Sequence, residues 1–452
     1  MINAIFSQFV EATPVTVMVR GIIERIFDPS ALEELFKTHA VNQYTRELLF
    51  SNVVSLMSLV VSGVHPSVSA AYKALEQDIG VSRPALYGKL NGMELGISQA
   101  LVRYSASNLK SLITKLKVNQ TQLLAGYEIK IADGNHLSGT EHRLKVLRNN
   151  LAKALPGKSI AVLDPQKMLV TDIFLNQDGH AQERTMLPEL LETVQPQQVW
   201  IGDRNFCTRQ FLFGIIQRSS DFVIRHHKSL PVQEISSPEK MGKTETGEVF
   251  EQQVQIINSD GQTLQCGRIR VQCRCFATVR GVSLARVVIE LYQPTRHGDK
   301  EVALLTHLPC SVADAETITQ LYLTRWNIEG MFQVITDTFN CELNTLGYSK
   351  AALFVFCVAI VAFNILSSVK AALKSVHGVG KIEAGLSDYY LVEEVQATYR
   401  GMAIALPAPL WSSIAQMSLP EFAQTLKQWA RREPLAHQSS KTTICANALR
   451  QS

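Results

Sequence analysis

A phenol, a guanidinium and a carboxylate recur at helical spacing in Tyr322-Leu-Thr-Arg325-Trp326-Asn-Ile-Glu329-Gly-Met-Phe-Gln333-Val-Ile-Thr336. At about 100° per residue, Tyr322, Arg325, Glu329, Gln333 and Thr336 fall on one narrow stripe of a helix. Leu321, Leu323, Ile328, Met331, Phe332, Val334 and Ile335 cover most of the rest, so the helix should be packed with its polar stripe in a groove. A solvated face with an i,i+4 pair has the same spacing, but the apolar remainder favours the groove. Such a stripe can grip a phosphate through the guanidinium fork while the carboxylate holds a metal ion beside it. Two further acids close apolar, strand-like runs: Glu-Ile-Lys-Ile-Ala-Asp133-Gly134 and Gln-Val-Trp-Ile-Gly-Asp203-Arg204. An isolated aspartate at a strand end is usually a cap or turn former. Three converging carboxylates on separate elements can instead hold two divalent ions, with oxygen ligands that suit magnesium or manganese. Two such ions, about 3.5 to 4 Å apart, can activate a water or a 3′-hydroxyl and stabilise the leaving oxygen of a phosphodiester.

In order and relative placement, these three motifs resemble the cut-and-paste transposases of the insertion-sequence-four family, across residues from roughly 10 to 375. The family signature Tyr-x2-Arg-x3-Glu continues x6-Lys, and this chain has Thr336 at the lysine position. The resemblance implies an α/β RNase H-like catalytic core interrupted by an all-β insertion, with an N-terminal helical DNA-binding domain. It implies catalytic and metal-holding roles for Asp133, Asp203 and Glu329, with two Mg2+ or Mn2+ ions per site. Tyr322 and Arg325 would contact phosphates beside the scissile bond, with Arg225 as a further candidate. Trp326 would receive a base flipped from the stack, if the enzyme excises through a hairpin. The implied activity is binding of terminal inverted repeats, cleavage of the ends and joining to target DNA, performed by a homodimer on paired ends. A metal-dependent nuclease without strand joining, and a DNA-binding regulator on an inactive core, share the same carboxylate argument.

Composition limits where DNA could bind. With 44 basic and 40 acidic residues the net charge is +4, so nucleic-acid contact has to come from local patches. The opening Met-Ile-Asn-Ala has no basic region followed by an apolar run, and the eight cysteines are scattered, so a reducing cytosol is the expected compartment. Cys266, Cys273 and Cys275 cluster but lack a fourth zinc ligand at sensible spacing. Residues 351–369 carry no charge over 19 positions, near the length of a membrane span. Asn364, Ser367 and Ser368 within this single stretch favour a buried helix packed on the sheet.

The expected organisation is a helical DNA-binding domain over 1–120, core over 121–226, a β-rich insertion over 227–311, returning core over 312–375, and a helical C-terminal region with a loose tail over 376–452. Near the N-terminus, Ser30 with Glu33 and Glu34 reads as a helix start. The run from Ala70 through Gly80 and Ser82 to Leu90 reads as helix, glycine turn, second helix, and resembles a helix-turn-helix. Arg83, Tyr87 and Lys89 are its DNA-facing candidates. From Tyr127 the pattern becomes strand, strand, strand, helix, strand, helix, strand, which lets the first and fourth strands lie side by side. His136, His142 and Arg143 follow the first aspartate and are channel candidates. Asp260-Gly261 marks a hairpin, among the basic residues Arg268, Arg270, Arg274, Arg280, Arg286, Arg296, His297 and Lys300.

Overall fold

The computed structural model describes residues 2–44, 47–137, 157–179, 181–257, 283–295, 298–343, 346 and 348–434. Its centre is a ten-stranded sheet of order β3-β2-β1-β4-β5-β10-β9-β8-β6, with β7 also paired to β8. The strands are β1 (Glu128–His136), β2 (Lys158–Asp164), β3 (Leu169–Asn176), β4 (Gln198–Gly202), β5 (Asp221–Arg225), β6 (Val232–Glu234), β7 (Glu239–Lys243), β8 (Gly247–Ile256), β9 (Ser283–Leu291) and β10 (Glu301–Thr306). β1 and β4 run parallel, with Ala132 beside Gly202, and β4 and β5 are also parallel. β4 is buried along its whole length, which matches its apolar run and its place between two parallel neighbours.

The strands after β5 continue this same sheet. β10 returns antiparallel to β5 and pairs Leu304 with Arg225, Leu305 with Ile224 and Thr306 with Val223. The hairpin turn and the basic and cysteine cluster between residues 258 and 282 lie outside the described residues, as do Arg296 and His297.

One face of the sheet meets a large helical layer. The helix Leu95–Leu116 packs on β3 and against the 29-residue helix Ser349–His377. That long helix holds the uncharged stretch, which is buried inside the protein. It packs on other helices and meets the sheet along β3, in keeping with the expectation of a buried helix packed on the sheet. Its contact with the sheet is specific. Asn364 Oδ1 accepts from the Val170 amide at 2.8 Å, and its Nδ2 donates to the Val170 carbonyl at 2.9 Å. β3 is the outermost strand here, so one asparagine supplies the bonds that a further strand would make.

Two local expectations change. The helix Pro29–His39 is capped by Asp28, which accepts from the Ala31 amide, because Pro29 suits the first helical position and pushes the cap back from Ser30. Glu33 turns outward from its own helix and accepts from the Ser51 amide and hydroxyl. The Tyr322–Thr336 stripe is not on one helix: Ala315–Leu323 ends before Trp326–Thr338 begins. At the joint the Thr324 hydroxyl donates to the Leu321 carbonyl at 2.6 Å, and the Arg325 amide donates to Tyr322 O, three residues back.

Candidate active site

The parallel register of β1 and β4 sets the two aspartates side by side. Ala132 pairs with Gly202, so the next residues are Asp133, still in β1, and Asp203, just past the end of β4. Asp203 caps a short 3-10 turn, Arg204–Phe206, by accepting from the Asn205 amide at 2.9 Å. That turn folds Phe206 back under the strand end, where a Cβ on residue 202 would stand 3.0 to 3.2 Å from its ring. Glycine at 202 is therefore what lets the aspartate turn so tightly.

Glu329 comes from the opposite side, on the helix Trp326–Thr338. Between it and β1 sits Arg325, only 5% exposed. Its Nη1 donates to Glu329 Oε1 at 2.7 Å and lies 3.4 Å from Asp133 Oδ2. Its guanidinium carbon is 5.0 Å from the Trp326 ring centroid and 5.8 Å from that of Tyr322. Burial opposes the arginine's charge, but Tyr322, Asp133 and Glu329 outweigh it and hold the pKa above the usual arginine value. Burial pushes the Asp133 carboxyl up to about 7, with Arg325 pulling against the shift and Asp203 and Glu329 adding repulsion. Asp203 is also raised by burial, against the Asn205 amide and the nearby Arg325, Arg204 and Arg225.

The remaining candidates are placed unevenly. Tyr322 is buried and its phenol is raised by burial, so it lines the inner wall of the site rather than an outer surface. Arg225 ends β5 with its guanidinium on Asp299 Oδ2 at 2.7 Å. Trp326 is half-buried, and its indole nitrogen has no hydrogen-bond partner among the described residues. Gln333 and Thr336 are exposed, and the Thr336 hydroxyl donates back to Phe332 O at 2.9 Å. His136 ends β1, while His142 and Arg143 lie outside the described residues.

Arg83, Tyr87 and Lys89 belong to a different element, the helix Arg83–Gly92, which follows a left-handed Gly80. Ser82 precedes that helix but makes no side-chain cap bond. Arg83 is exposed and reaches Ser69 Oγ at 3.3 Å. Lys89 does not present a free amine: its Nζ donates to Tyr44 O at 3.1 Å and sits 3.9 Å from the Phe36 ring centroid. Burial lowers its pKa.

One carboxylate escaped the motif reading. Glu183 opens the 3-10 turn Glu183–Met186, and its Oε2 accepts from Asn205 Nδ2 at 3.3 Å. A side chain on residue 134 would meet its carboxyl atoms at 2.4 to 2.8 Å. Burial first and Asp203 second raise its pKa. In sequence it looks like any acid in a helix's first turn, and only the absence of a side chain at Gly134 hints at a close neighbour.

The donor chemistry of Asp133, Asp203 and Glu329 fits a hard divalent cation: oxygen only, with the first two buried enough to be raised. As they stand, no three His, Cys, Asp or Glu side chains among the described residues are grouped closely enough to hold one ion. A guanidinium stands between Asp133 and Glu329 instead.

Two aspartates thus stand abreast at the end of the sheet, and a helix brings a glutamate to the arginine beside the first of them. Residues 126–364 match the transposase DDE domain, and the chain belongs to that family. Among solved structures it is similar to the piggyBac transposase synaptic complex with hairpin DNA, at 10% identity and a TM-score of 0.41, over 96% of this chain and 88% of that one. No curated protein matches it.

Proposed function

We propose that this transposase is of the insertion-sequence-four type, binding the terminal inverted repeats of a mobile element, cleaving the ends and joining them to a target duplex. The observation that carries this reading is the gathering of Asp133 and Glu329 on one buried arginine, at 3.4 and 2.7 Å, with Asp203 just past the end of the strand beside Asp133. The order β3-β2-β1-β4-β5 supports an RNase H-like core over 121–226 and 312–375, with 227–311 as its β-rich insertion. Residues 1–120 would then serve end recognition, with Arg83 the best exposed of the candidates, and the described part of 376–452 would complete the helical side. Two protomers would act on paired ends.

Asp133, Asp203 and Glu329 would hold Mg2+ or Mn2+, which when bound activates the attacking oxygen and stabilises the leaving one. The chain's own contribution is positional. Tyr322 and the helix joint at Thr324 fix Arg325 against the carboxylates, and Arg325 offers the planar fork that a phosphate accepts. Trp326 beside it offers an aromatic face to an unstacked base. Arg225, reached by the same sheet through β5, adds a second cation near Asp203.

The test uses Asp133→Asn, Asp203→Asn and Glu329→Gln with a labelled inverted-repeat duplex, a target plasmid and Mg2+. Cleavage and joining should be lost, with end-binding in the absence of divalent ions and circular dichroism unchanged. Retained cleavage in all three variants would overturn the reading, and cleavage without plasmid joining in the wild type would reassign the enzyme as a nuclease.

A further inference from the structure

The geometry assigns Arg325 a second role that rests on the carboxylate reading above: it is the resting counter-ion of the site, and it exchanges Glu329 for a DNA phosphate when an end and a divalent ion are loaded together. Three observations lead there. Arg325 is almost wholly enclosed, so a phosphate on an outer surface cannot reach it as it stands. Its Nη1 contacts both Asp133 and Glu329, so in this state it occupies oxygens that an ion would otherwise need. Its buried Nε has no partner among the described residues, a donor left over for an acceptor that the carboxylates do not provide.

Glu329 is the partner able to leave. Its side chain is 37% exposed against 18% for Asp133, and it holds the arginine through an i,i+4 contact on a helix surface. Asp133 is fixed in a central strand. A phosphate gives the guanidinium two oxygens in fork geometry, and release of Glu329 returns a carboxylate to the ion. The two loadings then reinforce each other, and by linkage the ion strengthens DNA binding by the same factor that DNA strengthens ion binding.

Calorimetric titration of full-length, DNA-free protein with Mn2+ tests this. Arg325→Gln should bind Mn2+ about tenfold tighter than wild type, within the range of ordinary site-to-site coupling. Adding inverted-repeat duplex should tighten Mn2+ binding by wild type and leave Arg325→Gln unchanged. If Arg325→Gln does not fold, Arg325→Lys keeps the charge without the fork, and the DNA-dependent gain should shrink by about fivefold or more. Mn2+ affinity no tighter in Arg325→Gln, or a full gain in Arg325→Lys, overturns the counter-ion role. The carboxylate reading fails separately, if Asp133→Asn and Glu329→Gln both bind Mn2+ like wild type.

Discussion

Replacing Asn364 with leucine keeps the side chain's size and removes both of its polar atoms, which makes it a clean probe of how the helical layer holds the sheet. Val170 is fully buried, and Asn364 satisfies both its amide and its carbonyl, at 2.8 and 2.9 Å. Leucine would leave both groups without partners, at about 1–3 kcal/mol each, partly offset by the gain of an apolar contact. The net destabilisation expected is roughly 2–4 kcal/mol. Urea unfolding gives the total, but a chain of this length need not unfold in one step. Hydrogen exchange in a peptide covering β3 is the sharper measure. If the strand opens locally by that free energy, its Val170 amide should exchange roughly 30- to 700-fold faster, since every 1.4 kcal/mol or so is tenfold. Unchanged exchange in β3, with stability within about 0.5 kcal/mol of wild type, would mean that another group or water replaces the asparagine and that the reasoning is wrong.

Gly202→Ala should push Phe206 or the Asp203 turn outward, lowering single-turnover cleavage by about tenfold or more while costing only roughly 1–3 kcal/mol of stability; equal loss of activity and of folded protein would point to the core instead. Glu433 is buried near Glu394, which accepts from the Thr16 amide, and burial ahead of that neighbour raises its carboxyl to about 7. A raised acid contributes most below its unfolded value and loses that contribution as pH climbs through about 7. Glu433→Gln should therefore gain about 2–3 kcal/mol over wild type at pH 8 and almost nothing at pH 4.5, measured by paired melting curves. Thr336→Lys places a cation on an exposed helix position, and should steepen the salt dependence of end-binding by about one unit if that face meets DNA. Identical slopes would show that it does not.

The two aspartates were legible because each ends an apolar run with a polar, turn-forming residue, and because parallel strands in this order put equivalent ends together. The 29-residue helix was legible as buried, since its polar residues interrupt a span that lipid would not tolerate. What escaped depended on contacts distant in sequence. Periodicity carries Tyr322 to Thr336 on one helix, because Thr324 looks like an ordinary helical residue until its hydroxyl competes for Leu321 O. Lys89 reads as a surface cation on a recognition helix, and nothing local reveals that Phe36 and Tyr44 fold over to take its amine. Arg325 reads in sequence as part of an open polar stripe, and nothing local shows that it is enclosed, since its burial is set by Tyr322, Trp326 and a strand almost two hundred positions away.

The seam between β5 and β10 has a consequence for how this architecture could vary over time. The chain leaves at Arg225 and comes back at Leu304 directly opposite, so departure and return of the intervening block are neighbours in one ladder. Loops between them can lengthen or shorten without moving the strand that precedes Asp203, whereas β7, β8 and β9 also support Ala315–Leu323, the helix ahead of the one that carries Glu329. The seam works as a socket: loops of different length fit beyond it as long as the three-residue pairing closes and β7, β8 and β9 keep their seat under that helix.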